Sequence, residues 1–202
     1  NNFRRSARVQ MLFTAEELRN SGLTKGHIGS LSFDITTLGA SADNDNYTVR
    51  IAPTNLSKFI YADFISADFT TVFTPKTYTH SASGWQEILF DTNYEWDGLS
   101  NLIIEIAHDG IDSSSSARTN YTETNYSSVV FEFNGTTKSL SKNRFNIKFK
   151  QVFPVQVKWT ATAGSLFLDE TATIPYPIDT HANKVYYRAG QIGVTEVIAS
   201  IA

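Results

Sequence analysis

YEWDGLSNLIIEIAHDG, residues 94–110, is the stretch whose reading decides the fold. It holds a tryptophan, a tight Asp97-Gly98 turn and then an apolar run from Leu102 to Ile106. Asp-Gly is a turn dipeptide, because Asp bonds to nearby backbone and Gly accepts a left-handed conformation. The expected arrangement has Trp96 pointing into a core, Ser100 and Asn101 tying the turn to its own backbone, and the apolar run as a buried strand. The competing reading makes Glu95 and Asp97 a carboxylate pair for acid–base work. Residues two apart in a strand share a face, but the two would stand too close for the usual acid and nucleophile of a glycosidase. The stretch reads as a corner of a sandwich.

Working outward, nearly everything else alternates. Leu31, Phe33 and Ile35 interleave with Ser32, Asp34 and Thr36, and Phe145, Ile147 and Phe149 with Asn146, Lys148 and Lys150. This period of two marks half-buried antiparallel strands. Turn signals separate them at residues 42–46, Ser83-Gly84, Asp109-Gly110 and Asn134-Gly135. Strands without intervening helices predict an all-β chain, a jelly-roll-like antiparallel β-sandwich rather than a parallel α/β sheet. One helix is expected, over residues 15–21. Thr14 and Glu17 form a capping box, Phe13 and Leu18 a hydrophobic staple, and Gly22 a stop.

Composition excludes several functions. The net charge is −3 with scattered basic residues, so the concentrated positive field of a nucleic-acid surface is missing. No apolar stretch approaches the roughly 20 residues that span a bilayer, which argues against membrane insertion. The chain has no cysteine, which points to a bacterial or cytosolic protein, or to one stable through its core alone. Asn1 leads straight into strand-like sequence and the last residues stop inside another apparent strand. The chain therefore reads as a piece of something larger.

A boundary is expected at Phe153-Pro154, giving domains over 1–153 and 154–202, because proline fixes its own backbone and lacks a donor. The second has about fifty residues, near the lower limit for an independent core. Its expected strands are 155–160, 165–168, 184–188 and 194–201.

Several of these segments carry a resemblance. FTAEEL (13–18), IGSLSF (28–33), YTVRI (47–51), SGW (83–85), ILF (88–90) and WDGLSNLIIEI (96–106) resemble a β-sandwich module of giant flavobacterial surface adhesins of the gliding-motility type. The similarity spans roughly residues 4–152. Val157-x-Trp159, Leu166-Phe-x-Asp169 and Val185-Tyr-Tyr187 look like the small immunoglobulin-like repeats that follow such modules. The resemblance implies an Ig-like second domain, a bacterial cell-surface or extracellular location, export by the type IX system, and neighbouring domains of the same polypeptide as partners.

The search for chemistry is less productive. His27, His80, His108 and His181 lack metal-ligand spacing and read as solvated loop histidines. No nucleophile elbow, P-loop or dinucleotide fingerprint is present, so no enzyme is expected and no cofactor is required. Two oxygen-rich loops make Asp43, Asp45, Asp109 and Asp112 candidate Ca²⁺ ligands, since that ion takes six to eight oxygens. Tyr121 and Tyr126 are candidate sugar-stacking rings. They lie an odd number apart, so in an unbroken strand one of them faces the core. The expectation is a non-catalytic structural or adhesive module serving surface attachment or gliding motility. The alternative is a carbohydrate-binding module of a secreted multidomain protein or hydrolase, with surface polysaccharide as a partner.

Overall fold

The computed structural model describes residues 6–38, 43–109, 117–153, 157–177, 180–190 and 192–201. The chain divides into two compact units, Asn1–Val152 and Phe153–Ala202.

The first unit is an antiparallel β-sandwich. Its strands are β1 (Ser6–Phe13), β2 (Gly26–Thr37), β3 (Asp43–Thr54), β4 (Thr70–Thr79), β5 (Gly84–Trp96), β6 (Asn101–Asp109), β7 (Arg118–Thr119), β8 (Tyr121–Glu123), β9 (Val129–Phe133), β10 (Ser139–Ser141), β11 (Asn143–Phe145) and β12 (Ile147–Val152). A six-stranded sheet runs β10-β9-β1-β6-β3-β4, and a four-stranded one runs β12-β2-β5 with β7 beside β2. The alternation seen in the sequence builds the layer between them. Met11, Leu31, Ile51, Ile88, Leu102 and Ile104 are fully or almost fully buried in one core cluster drawn from both sheets.

The single helix, α1 (Ala15–Asn20), begins as expected. The Thr14 hydroxyl accepts from the Glu17 N–H while the Glu17 carboxylate accepts from the Thr14 N–H. It ends in a Schellman motif, with the Leu23 N–H on the Leu18 carbonyl and the Gly22 N–H on that of Arg19. Gly22 takes a φ of 94°, which a side chain would resist.

The run from Leu102 to Ile106, apolar but for Glu105, is buried without alternation because β6 is covered on both sides. Leu102, Ile104 and Ile106 face the sandwich core. Ile103 faces the other way, into a second cluster with Leu12, Val130 and Phe59. The cover is the connection between β3 and β4, which lies over the outer face of the six-stranded sheet.

The direction of the chain fixes the poles of this unit. Ser6, at the start of β1, pairs opposite Asp109 and bonds to Asn134. β1 runs from there to α1 at the far pole, and β2 returns. β12 pairs antiparallel with β2 and so runs in the same sense as β1, ending beside the far pole. There Gln151 exchanges two bonds with the Thr24 backbone, and Val152 pairs with His27.

The second unit holds β13 (Val157–Ala161), β14 (Ser165–Phe167), β15 (Tyr186–Arg188) and β16 (Val197–Ile201). They form two antiparallel ladders, β13-β16 and β14-β15.

Candidate functional site

The opening stretch forms a corner. Trp96 is 1% exposed and its Nε1 donates to the Ser100 carbonyl. Asp97 Oδ1 accepts from the Leu99 and Ser100 N–H groups, and Oδ2 from the Ser100 hydroxyl. Those bonds hold its pKa below the ordinary value. Glu95 and Asp97 are exposed on either side of buried Trp96. Asn101 does something the sequence reading missed. Rather than tying the turn to itself, it accepts from the Ala15 N–H and donates to the Leu56 carbonyl, joining the corner to α1 and to the β3–β4 connection.

The expectation of solvated loop histidines holds for His181; His27 is exposed but lies on β2, and the other two depart from it further. His108 follows Ile104 and Ile106 on the inward face of β6, is 6% exposed and stacks on Tyr47. His80 meets Tyr78 edge-on. His80 Nδ1 and His108 Nε2 are buried without a hydrogen-bond partner among the described residues. Burial lowers both pKa values, that of His80 to about 4.

Asp45 pairs directly opposite Asp109 across β3 and β6. Asp43 and Asp45 each accept from a threonine hydroxyl on β4, Thr79 and Thr77, and Asp109 accepts from Asn46. Asp112 lies outside the described residues. Among those that are described, no three His, Cys, Asp or Glu side chains group as a metal site.

The two candidate sugar-stacking rings part company. Tyr121 is 58% exposed on β8. Tyr126 packs against the second core cluster, and its hydroxyl donates to Glu17 while accepting from Arg144. Burial and the Glu17 carboxylate push its pKa to about 12. Burial would raise Glu17, but bonds from Arg144, the Thr14 backbone and Tyr126 outweigh that and hold it at about 2. Tyr126 is a strut between α1 and β11.

A polar cleft no motif announced lies over the outer face of the six-stranded sheet. Glu105 sits on β6 with its side chain wholly buried. Arg8 donates to one of its oxygens through Nε and Nη2 at 3.0 and 2.8 Å. Arg50 donates to the other through the same two atoms. Gln10 adds a third donor at 2.8 Å and exchanges two bonds with the Ile65 backbone. Burial raises the Glu105 pKa, yet the bonds from Arg50, Gln10 and Arg8 win and leave it lowered. The guanidinium of Arg8 lies 4.2 Å over the Phe64 ring and that of Arg50 5.1 Å over Phe69. Lys138 reaches Asp63 at 2.5 Å on the rim. The cleft encloses about 410 Å³. Its signal in the sequence was cross-strand: Gln10, Glu105 and Arg50 occupy one row of the sheet, a pairing visible only once the register is known.

No family model matches the chain, and no curated protein or solved structure matches it.

Proposed function

We propose that the chain is a non-catalytic structural and adhesive part of a large bacterial cell-surface protein, through which tension passes during attachment or gliding. The observation that carries this reading is the placement of the two ends of the sandwich. Residue 6 and residue 152 lie at opposite poles, and β1 and β12 run in the same sense between them. Tension applied at these ends pulls both strands lengthwise. All eight residues of β1 pair with β6 and five of them also pair with β9, while six residues of β12 pair with β2. The hydrogen bonds of such ladders lie across the strands, so a lengthwise pull loads many of them together.

The shifted carboxylates support the same reading. Glu17 caps α1 and grips Arg144, Asp97 closes the corner, and Glu105 joins three strands. Each is spent on holding backbone or a neighbouring strand. Among the described residues no helix is long and apolar enough to cross a membrane.

Single-molecule pulling tests the proposal. With handles at residues 6 and 152, unfolding should need much more force than with handles at residues 6 and 136. The second pair sits at one pole and unzips the β1–β9 ladder one residue pair at a time. Equal forces in the two geometries would defeat the tension-carrying reading.

A further inference from the structure

We infer that the cleft over Arg8 and Arg50 binds an anionic saccharide, one whose carboxylate or sulfate group docks on the paired guanidinium groups. This deepens the adhesive part of the function proposed above by naming what the surface holds.

The first argument is a contrast within one sheet face. One row of the outer face, Leu12 beside Ile103, closes beneath Phe59, joined by Val130 from the end of the next row. The adjoining rows are built from Gln10, Glu105, Arg50 and Arg8 under the same connection. Apolar residues would close that part too, since replacing a buried ion pair with packed apolar groups is often neutral or stabilising. Stability alone therefore does not account for the arrangement.

The second argument is geometry. Buried Glu105 holds both guanidinium groups against one carboxylate, each through its Nε and Nη2, which leaves Nη1 at the far end of each fork. The Arg8 and Arg50 side chains are 41% and 36% exposed, so the forks are both fixed and reachable. Two positive charges share the single buried carboxylate of Glu105, while on the walls Lys138 is set against Asp63 and Glu132. It is therefore the placement of the forks and not a net positive charge that offers an oxyanion its seat. Arginine forks suit planar oxyanions, and holding them in advance removes part of the ordering cost of binding.

The third argument concerns the rest of the ligand. Asp63 and Glu132 line the same cleft beside Lys138 and Ser66, so the walls offer acceptors as well as donors. A simple anion would find those carboxylates unfavourable, whereas sugar hydroxyls donate to them. The volume of about 410 Å³ falls in the range of small-ligand sites, about 300–1,000 Å³.

The test is calorimetric titration of the 202-residue chain with oligogalacturonate, chondroitin sulfate oligomers, neutral dextran oligomers, and sodium acetate or sulfate alone. Binding of at least one acidic oligomer is expected, weakening with added salt, with dextran and the free anions silent. Two variants locate the site. Arg50→Lys keeps a cation beside Glu105 but removes the fork, and should weaken binding about tenfold or more. Ser66→Trp fills the cleft without touching the ion cluster and should abolish binding while the melting temperature holds. The inference is overturned if no acidic oligomer binds, if the free anions bind as well as the oligomers, or if Ser66→Trp leaves affinity unchanged. The pulling experiment is independent of these outcomes, so the two readings fail separately.

Discussion

Two histidines of the first unit carry a pH dependence. His108 is buried and His80 half-buried. Although His108 Nδ1 meets the Asp109 carbonyl, a charged imidazole at either place would lose water that no described residue replaces at His80 Nδ1 or His108 Nε2. Their folded pKa values lie below the ordinary 6.5, so the unfolded chain binds more protons than the folded one as the medium acidifies. Their contribution to stability is complete above about pH 6.5 and is lost as pH falls toward the folded value, about 4 for His80. Glu17 acts lower down. Its folded pKa of about 2 against an ordinary 4.5 means its contribution drains away below about pH 4.5. Urea midpoints measured from pH 7.5 to 3 should therefore fall in two stages. A His108→Phe variant should make the upper stage shallower, with His80 still contributing, and leave the lower one, and an unchanged upper slope would remove His108 from the account. None of this was readable from the chain alone. His108 lies beside a turn signal, and only its register with Ile104 and Ile106 shows that it points inward.

At the scale of elements, the parts with local rules were legible and those set by register were not. The capping box at Thr14 and Glu17 and the staple at Phe13 and Leu18 specify α1 within six residues, because a cap is a contact between near neighbours. The corner at Trp96–Ser100 is local in the same way. Asn101, by contrast, reaches Ala15 and Leu56, and nothing nearby in the chain points to them. Gly29 is a case where register decides everything. It lies at the irregularity between Ile28 and Ser30 in the β2–β5 pairing, and a Cβ there would stand 2.1 Å from Val152 Cγ2. Gly29→Ala should destabilise the sandwich by about 1–3 kcal/mol through overpacking. Adding Val152→Ala should recover most of that loss, since the offending methyl is gone. Chemical denaturation of the two variants checks this coupling. A double variant no more stable than the single one would place the strain elsewhere.

For the molecule as a whole, the two units differ in what they bury. The first has two buried clusters, one between its sheets and one over the outer face of the six-stranded sheet. Among the described residues of the second, no apolar side chain is fully buried, and β16 is exposed throughout, with Ile201 at 76%. Two short ladders of this kind are marginal on their own. Amide exchange of the intact chain should show residues 157–201 opening well before β1, β6 and β2. Equal protection across both units would contradict that ranking. The opposite poles of the first unit have a consequence for distance. A folded sandwich strung by residues 6 and 152 contributes little more than the length of one strand to its parent chain, about 27 Å for eight residues. Once sheared apart, the same segment can stretch by more than 3 Å for every residue, on the order of fifteen times as far. Repeated along a surface filament, such units would lengthen one at a time under a sudden tug, so that the anchored end keeps its hold while the slack is let out.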